Sequence, residues 1–266
     1  MKQQIQYCTA ADGVRLAYSV IGRGTPIVRA SHWLSHLEYD LESPVFRPMV
    51  LGLSQRHAYL RYDARGTGLS QRDVGEISME RWVSDLETVV DAVALDRFIL
   101  YGASQGAAIS IAYAARHPER VSHLILSGGW VRGQLHRENP DKQRRMLELS
   151  RTMVREGWGS DQEAYRQWFT SQIMPDATRE QMRWFNDLER VSATPEVAGR
   201  IVQALAEANV AELLRKVQAP TLVWHCRGDQ GVPFAQGQEI AAGISGARLV
   251  PLPGNNHIFL AHEAAH

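Results

Sequence analysis

Gly102-Ala103-Ser104-Gln105-Gly106 decides how this chain is read. The pentapeptide follows an apolar run, Arg97-Phe98-Ile99-Leu100-Tyr101, and opens a small-residue run of helical character from Ala107 to Arg116. A G-x-S-x-G between a strand and a helix is a nucleophile elbow, a sharp turn that lifts a serine hydroxyl to the rim of a sheet. The turn is tight, so its flanks must be nearly free of side chain, and glycines at 102 and 106 supply that room. The pentapeptide alone arises by chance. The strand before it and the helix after it give it weight.

Working outward, the first half alternates short apolar runs with helical patterns. Strands are expected at Ile5 to Thr9, Val14 to Ile21, Pro26 to Ala30, Ala58 to Tyr62 and Val121 to Ser127. Asp12-Gly13 and Gly22-Arg23-Gly24 read as turns; no G-x-G-x-x-G follows the latter to make it a phosphate loop. Ile77 to Leu95 carries Trp82, Leu86, Val89, Val90 and Val93 at helical spacing, with Ser78 as N-cap. Strands alternating with helices argue for an α/β fold, a mostly parallel sheet with helices on both faces. From Trp130 to Lys216 the strand logic stops. Helical stretches there are broken at Gly157-Trp158-Gly159, Met174-Pro175-Asp176 and Ala193-Thr194-Pro195. Strands return at Pro220 to Cys226 and Ala247 to Leu252. The expected division is a core of residues 1–129 and 217–266, with residues 130–216 inserted as a helical lid over the edge where α/β sheets place ligands. A longer closing helix would be expected than the few residues between Asn256-His257 and His266.

A serine hydroxyl attacks well only when a base takes its proton. Histidine suits that task near neutral pH, and a carboxylate holds its tautomer. Asp229 lies in Arg227-Gly228-Asp229-Gln230-Gly231-Val232-Pro233 after one late strand, and His257 in Pro253-Gly254-Asn255-Asn256-His257 after the other. Both loops fall at strand C-termini, on the edge that carries Ser104. A turn-forming Asp and a surface His explain either residue alone, but not three strand-end positions in the order Ser, Asp, His. A developing oxyanion needs donors. Gln105 offers a backbone N–H at a helix start, and Trp33, in Ser31-His32-Trp33 after the Pro26 to Ala30 strand, offers the second. His32, a bulky residue between Ser31 and Trp33, is expected to alter the hole and narrow the acyl side.

Other tempting residues read more plainly. Asp63-Ala64-Arg65-Gly66-Thr67-Gly68-Leu69-Ser70 is a buried turn held by Asp63 and Arg65, His117 before Pro118 is a helix cap, and His225 is a core histidine in a strand. His32 and His36 divide evenly between a pocket role and a structural hydrogen bond. Trp130, Trp158, Trp168 and Trp184, with Tyr165, Phe169 and Phe185, make the insertion aromatic. Some of these rings must face the sheet edge, which predicts an apolar pocket lined by His32, His36 and those four tryptophans.

The chain has 266 residues, enough for one large α/β domain, and 29 Lys+Arg against 29 Asp+Glu. That balance gives no electrostatic case for nucleic acid or an anionic membrane, and leaves a homodimer open. Two cysteines, Cys8 and Cys226, make no disulfide framework, and Met1-Lys2-Gln3-Gln4 leads into no signal-type apolar core. No run approaches the roughly 18 apolar residues of a membrane span. A cytoplasmic protein is expected. No metal-ligand spacing such as H-E-x-x-H occurs, so neither metal nor cofactor is expected.

Over nearly its whole length the chain resembles an α/β-hydrolase-fold serine hydrolase. A narrower resemblance is carried by Trp33-Leu34-Ser35-His36-Leu37-Glu38-Tyr39-Asp40, Arg61-Tyr62-Asp63-Ala64-Arg65-Gly66, Ala115-Arg116-His117-Pro118-Glu119-Arg120, Glu156-Gly157-Trp158-Gly159 and Arg183-Trp184-Phe185-Asn186. These stretches resemble hydrolase domains fused to LuxR-type transcription regulators and to class III adenylate/guanylate cyclases, of which this chain would be a free-standing version. The resemblance implies an eight-stranded, mostly parallel sheet and the triad Ser104, Asp229 and His257. The expected activity is acyl-enzyme hydrolysis of a small-molecule carboxylic ester or lactone. The alternatives are a ligand-sensing receptor with slow or no turnover, and C–C hydrolysis or perhydrolysis by the same triad, since fold does not fix reaction.

Overall fold

The structure is a computed structural model that describes residues 3–32, 34–160 and 162–260. Eight strands form one sheet: β1 (Gln6–Thr9), β2 (Arg15–Ile21), β3 (Thr25–Ala30), β4 (His57–Tyr62), β5 (Phe98–Ala103), β6 (Val121–Ser127), β7 (Thr221–Cys226) and β8 (Arg248–Leu252). Their order is β1-β2-β4-β3-β5-β6-β7-β8. Strand β2 pairs antiparallel with both β1 and β4, and every pairing from β4 to β8 is parallel. Each strand lies within two residues of its expected place.

Side-chain alternation explains why both faces of the sheet are covered. Val28, Leu60, Leu100 and Leu124 face the main core, whereas their neighbours Ile27, Tyr59, Tyr101 and Ile125 join a second cluster on the other face. Helices α3 (Met79–Ala92) and α4 (Gln105–Arg116) cover the first face. Val50 of α2 (Arg47–Ser54) enters the second cluster. Ser78 caps α3 as expected, accepting the Arg81 N–H at 3.3 Å. The Asp63 turn is also as expected. Its Oδ2 accepts the N–H groups of Leu37 and Leu69, and Arg65 is clamped between Asp12 and Asp85. Cys8 and Cys226 are free thiols, the latter buried.

Between β6 and β7 come α5 (Pro140–Gly157), α6 (Glu163–Ile173), α7 (Arg179–Ser192) and α8 (Pro195–Glu207). The breakers named above end α5 and α6 and start α8, where Thr194 caps and Pro195 takes the first turn. Helix α5 packs on α8 and α6 on α7, so the insertion is two helical pairs. Arg72 and Arg200 tie it to the core: the first donates to the carbonyls of Val191 and Ser192, the second to those of Val74 and Gly75. No helix among the described residues is long and apolar enough to cross a membrane.

Three helices have no counterpart in the sequence reading. These are α1 (Tyr39–Glu42) and α2 after β3, and α9 (Phe234–Gly243) after β7. Helix α1 has four residues, α2 lacks a side-chain cap, and α9 is diluted by Gly237 and Gly243. Each is too short or too weakly patterned to announce itself.

Candidate active site

Ser104 stands between β5 and α4 with φ 53° and ψ −121°, a left-handed conformation for a side-chain-bearing residue. That conformation costs on the order of 1–3 kcal/mol and persists only where the surroundings enforce it. They do so here. The Ser104 N–H is held by Ser127 O at 2.9 Å. A Cβ on Gly102 would lie 2.3 Å from Gly106 O, and one on Gly106 would lie 2.7 Å from Ala30 O. The two elbow glycines are therefore steric requirements. Gln105 follows as the first residue of α4, which puts its N–H at the start of the helix. Trp33, the other expected oxyanion donor, lies outside the described residues.

Asp229 and His257 come together as the spacing predicts. His257 Nδ1 lies 2.8 Å from Asp229 Oδ2, with both side chains buried. The other carboxylate oxygen, Oδ1, accepts the N–H groups of Gly231 and Val232 at 2.8 Å each. A third contact was not anticipated: His225 Nε2 lies 3.2 Å from the same Oδ2. Burial works to raise the Asp229 carboxyl. Hydrogen bonds from His225 and His257, the charge of His257 and the Val232 N–H outweigh it and hold the group well below the usual carboxylate range. The acid is thus ionised at any working pH.

Glycines flank the His257 ring on both sides. A Cβ on Gly128 (φ 53°) would lie 3.2 Å from Cε1 and Nδ1, and one on Gly231 would lie 3.2 Å from Cγ. Gly128 adjoins Ser127, whose carbonyl holds the Ser104 N–H, so the segment 127–128 touches both the elbow and the imidazole. Among the described residues no hydrogen bond joins Ser104 Oγ to His257. Such bonds are commonly long without substrate and tighten when it binds. The insertion also reaches this loop. His257 N–H donates to Ile173 O at 2.8 Å, Asp176 N–H to Asn256 Oδ1 at 3.0 Å, and Asn255 Nδ2 to Asp176 Oδ2 at 3.0 Å.

The buried guanidinium of Arg29 donates to His32 Nε2, which places the ring proton on Nδ1. Burial, then the charges of Arg29 and His257, hold His32 well below its ordinary range, so the ring is neutral. His32 packs at 5.9 Å on Phe46, and Phe46 meets the edge of Trp184 at 5.6 Å. Trp184 stacks on Tyr39 at 5.0 Å, and Tyr39 meets His36 at 6.4 Å. His36 Nδ1 accepts the Tyr39 N–H, a structural bond. The structure thus gathers His32, His36 and Trp184 around two rings. Trp130 and Trp158 are buried, the latter with its Nε1 on Ala193 O and its ring against Phe169. Trp168 stands apart, 37% exposed.

His225 is the site residue that sequence reasoning placed in the core without a task. Its spacing from Asp229 was visible, but only the turn after β7 brings the two onto one oxygen.

Comparison with known proteins follows the same lines. A family model described as “Serine aminopeptidase, S33” matches residues 54–263. The chain is 28% identical over 258 residues to the “Putative carbamate hydrolase RutD” of Azorhizobium caulinodans, covering 92% of this chain and 89% of that protein. It is 27% identical over 266 residues to a non-heme haloperoxidase of Rhodococcus erythropolis, covering 94% and 92%. Among solved structures, the enol-lactonase from Burkholderia xenovorans superposes with a TM-score of 0.79 at 24% identity, over 98% of this chain and 95% of that one. These structural likenesses establish the fold.

Proposed function

Because the chain belongs to the α/β-hydrolase family described as “Serine aminopeptidase, S33”, we propose that it is a serine hydrolase of carboxylic esters or lactones that works through an acyl-enzyme. The observation that carries this reading is the buried Asp229–His257 pair on the sheet edge that also holds the strained Ser104. In this reading Ser104 Oγ attacks the acyl carbon while His257 Nε2 takes its proton. The oxyanion is received by the N–H groups of Gln105 and Trp33. Collapse breaks the bond to the leaving oxygen, which takes the proton from His257. Water then repeats the sequence and frees the acid. Asp229 fixes the His257 proton on Nδ1. Helices α5 to α8 serve as the lid, and His32, His36 and Trp184, joined through Phe46 and Tyr39, form the acyl wall. Trp130 and Trp158 back it from the lid core.

A fluorophosphonate probe tests the assignment, read by mass spectrometry beside turnover of p-nitrophenyl esters, lactones and an aryl carbamate. The carbamate is included because one relative is named for that chemistry. Labelling confined to Ser104, with both labelling and turnover lost in Ser104→Ala, is the expected result. Labelling elsewhere, or full activity in the variant, would sink the reading. The narrower resemblance to regulator- and cyclase-associated domains favours a second reading, a sensor using the same pocket. Its mark would be one stoichiometric acylation, or tight binding, without further turnover.

A further inference from the structure

His225 has no part in the steps just described, yet it touches the group that orients the base. It lies fully buried in β7. Its Nε2 is 2.9 Å from Val232 O and 3.2 Å from Asp229 Oδ2. Both neighbours are acceptors, so Nε2 carries the ring proton. Nδ1 is buried with no hydrogen-bond partner among the described residues. Helix α9 backs directly onto it: a Cβ on Gly237 would lie 2.6 Å from Nδ1. Phe234 closes the site edge-on at 5.8 Å, with the Arg227 guanidinium over that ring at 5.3 Å. The imidazole is therefore wedged in one place with one nitrogen aimed at the carboxylate.

We propose that His225 is a positioning residue for the Asp229–His257 pair. A carboxylate offers about four lone-pair sites. Here Gly231 and Val232 occupy two on Oδ1, and His257 and His225 share Oδ2. The His225 N–H is split between Val232 O at 2.9 Å and Oδ2 at 3.2 Å, and together these contacts oppose rotation of the carboxylate plane away from His257. The shared oxygen also divides its negative charge between two N–H donors, so His225 limits how strongly Asp229 holds a proton on His257. The ionisable groups around the pair are His225 from β7, Arg227 and Asp229 from the loop after it, and His32 from the loop after β3. Among the described residues, the uncharged Gly128, Gly231 and Ile173 also lie against the pair, and Asp176 reaches the same loop through Asn255 and Asn256. The inference rests on the hydrolase reading for its kinetic consequence, but not for its geometry.

The test uses the full chain with His225→Leu, which removes the donor, and His225→Gln, whose amide N–H reaches nearly the same point. Three quantities are read: kcat and KM against pH on a short-chain p-nitrophenyl ester, fluorophosphonate labelling of Ser104, and the low-field proton resonance of the His257 Nδ1–H. The leucine variant should keep KM and still label. Its kcat should fall roughly 10- to 100-fold, the scale of a displaced catalytic group. The acid limb of its kcat/KM profile should move to higher pH, because Asp229 then holds the His257 proton more tightly, and the low-field resonance should shift. The glutamine variant should recover most of kcat and return the acid limb and the resonance towards wild type. A folded leucine variant with wild-type kcat, acid limb and resonance overturns the proposal. So does one that loses only melting temperature. If leucine at 225 prevents folding, the glutamine variant decides: a wild-type profile supports the proposal, and a displaced acid limb with a shifted resonance overturns it. A wild-type protein that neither labels nor turns over would sink the hydrolase reading alone. The dependence of the resonance on His225 would still test this one.

Discussion

Replacing Asp229 by asparagine puts two independent demands of the site in conflict. Oδ1 accepts the N–H groups of Gly231 and Val232 at 2.8 Å each, so the amide oxygen must stay there. The NH2 group then occupies the Oδ2 position, facing His257 Nδ1 at 2.8 Å and His225 Nε2 at 3.2 Å. His225 cannot move its proton, because Val232 O needs it. His257 can, and the move leaves the proton on Nε2, where the base can no longer accept from Ser104. A kcat loss of about 10⁴-fold is expected, the scale seen when such an acid becomes an amide, or about 5.5 kcal/mol of barrier. A buried donor facing a donor also costs about 1–3 kcal/mol of stability, which lowers Tm by about 2–4 °C per kcal/mol. The stability gap depends on pH. Because the folded Asp229 carboxyl lies below its unfolded value, its contribution is complete above the unfolded value of about 3.9 and is lost as pH falls through the folded one. Wild type and variant should therefore differ more in Tm at pH 7.5 than at pH 3. The assay is kcat on a p-nitrophenyl ester beside thermal melts at those two pH values. A variant with near-normal kcat would show that another acid orients His257, and the reasoning would fail at its first step.

Gly128→Ala forces a Cβ to 3.2 Å from the His257 ring at φ 53°, so it should cost about 1–2 kcal/mol in Tm measurements and lower kcat at least ~10-fold with KM unchanged; wild-type kcat would count against the glycine slot. Burial raises the Glu189 carboxyl to about 9 against the partial opposition of Arg166 and Thr170, so the fold holds a proton that the unfolded chain releases above about 4.5. Stability from this group is complete below about 4.5 and is lost as pH rises towards 9; Glu189→Gln should stabilise by about 1–3 kcal/mol at pH 8 and not at pH 4, and equal increments at both pH values in chemical denaturation would refute it. Trp158→Ala should lower stability by about 3–5 kcal/mol without altering the ranking of short and medium acyl esters, Trp184→Ala should shift that ranking roughly 10-fold or more, and the exposed Trp168→Ala should do neither; a ranking changed by Trp158 or Trp168 instead would relocate the pocket.

Much of this fold and site is legible in the sequence. The strands announce themselves because their central residues, such as Val28, Leu60, Leu100 and Val223, are buried and apolar, and each run ends at a turn signal. The elbow and the Asp229–His257 pair are readable because each is local: a pentapeptide, and two loops directly after strands. What escaped depends on distance or on facing. His225 alternates along β7 like any interior residue, and no pattern says that the turn after it brings Asp229 back onto its ring. The aromatic insertion residues illustrate the same limit. Trp168 and Trp184 are equally prominent in the sequence, yet one is exposed and the other stacks on Tyr39, a ring from a different part of the chain. Contacts such as Ile173 with His257 have no local signature at all.

The hydrogen bonds from the α6–α7 corner to the His257 loop constrain how this protein can change over generations. The insertion is two helical pairs, and among the described residues the α6–α7 corner hydrogen-bonds the loop that carries His257. A lineage exploring new substrates has more room in α5 than in α8, because α8 carries the Arg200 anchor to Val74 and Gly75. Alterations that shift Ile173, Asp176 or Asn256 disturb chemistry and selectivity together, so they are tolerated only in compensated combinations. Grafting the insertion of a relative onto this core should accordingly work best when the graft stops short of that corner and leaves residues 173–176 native.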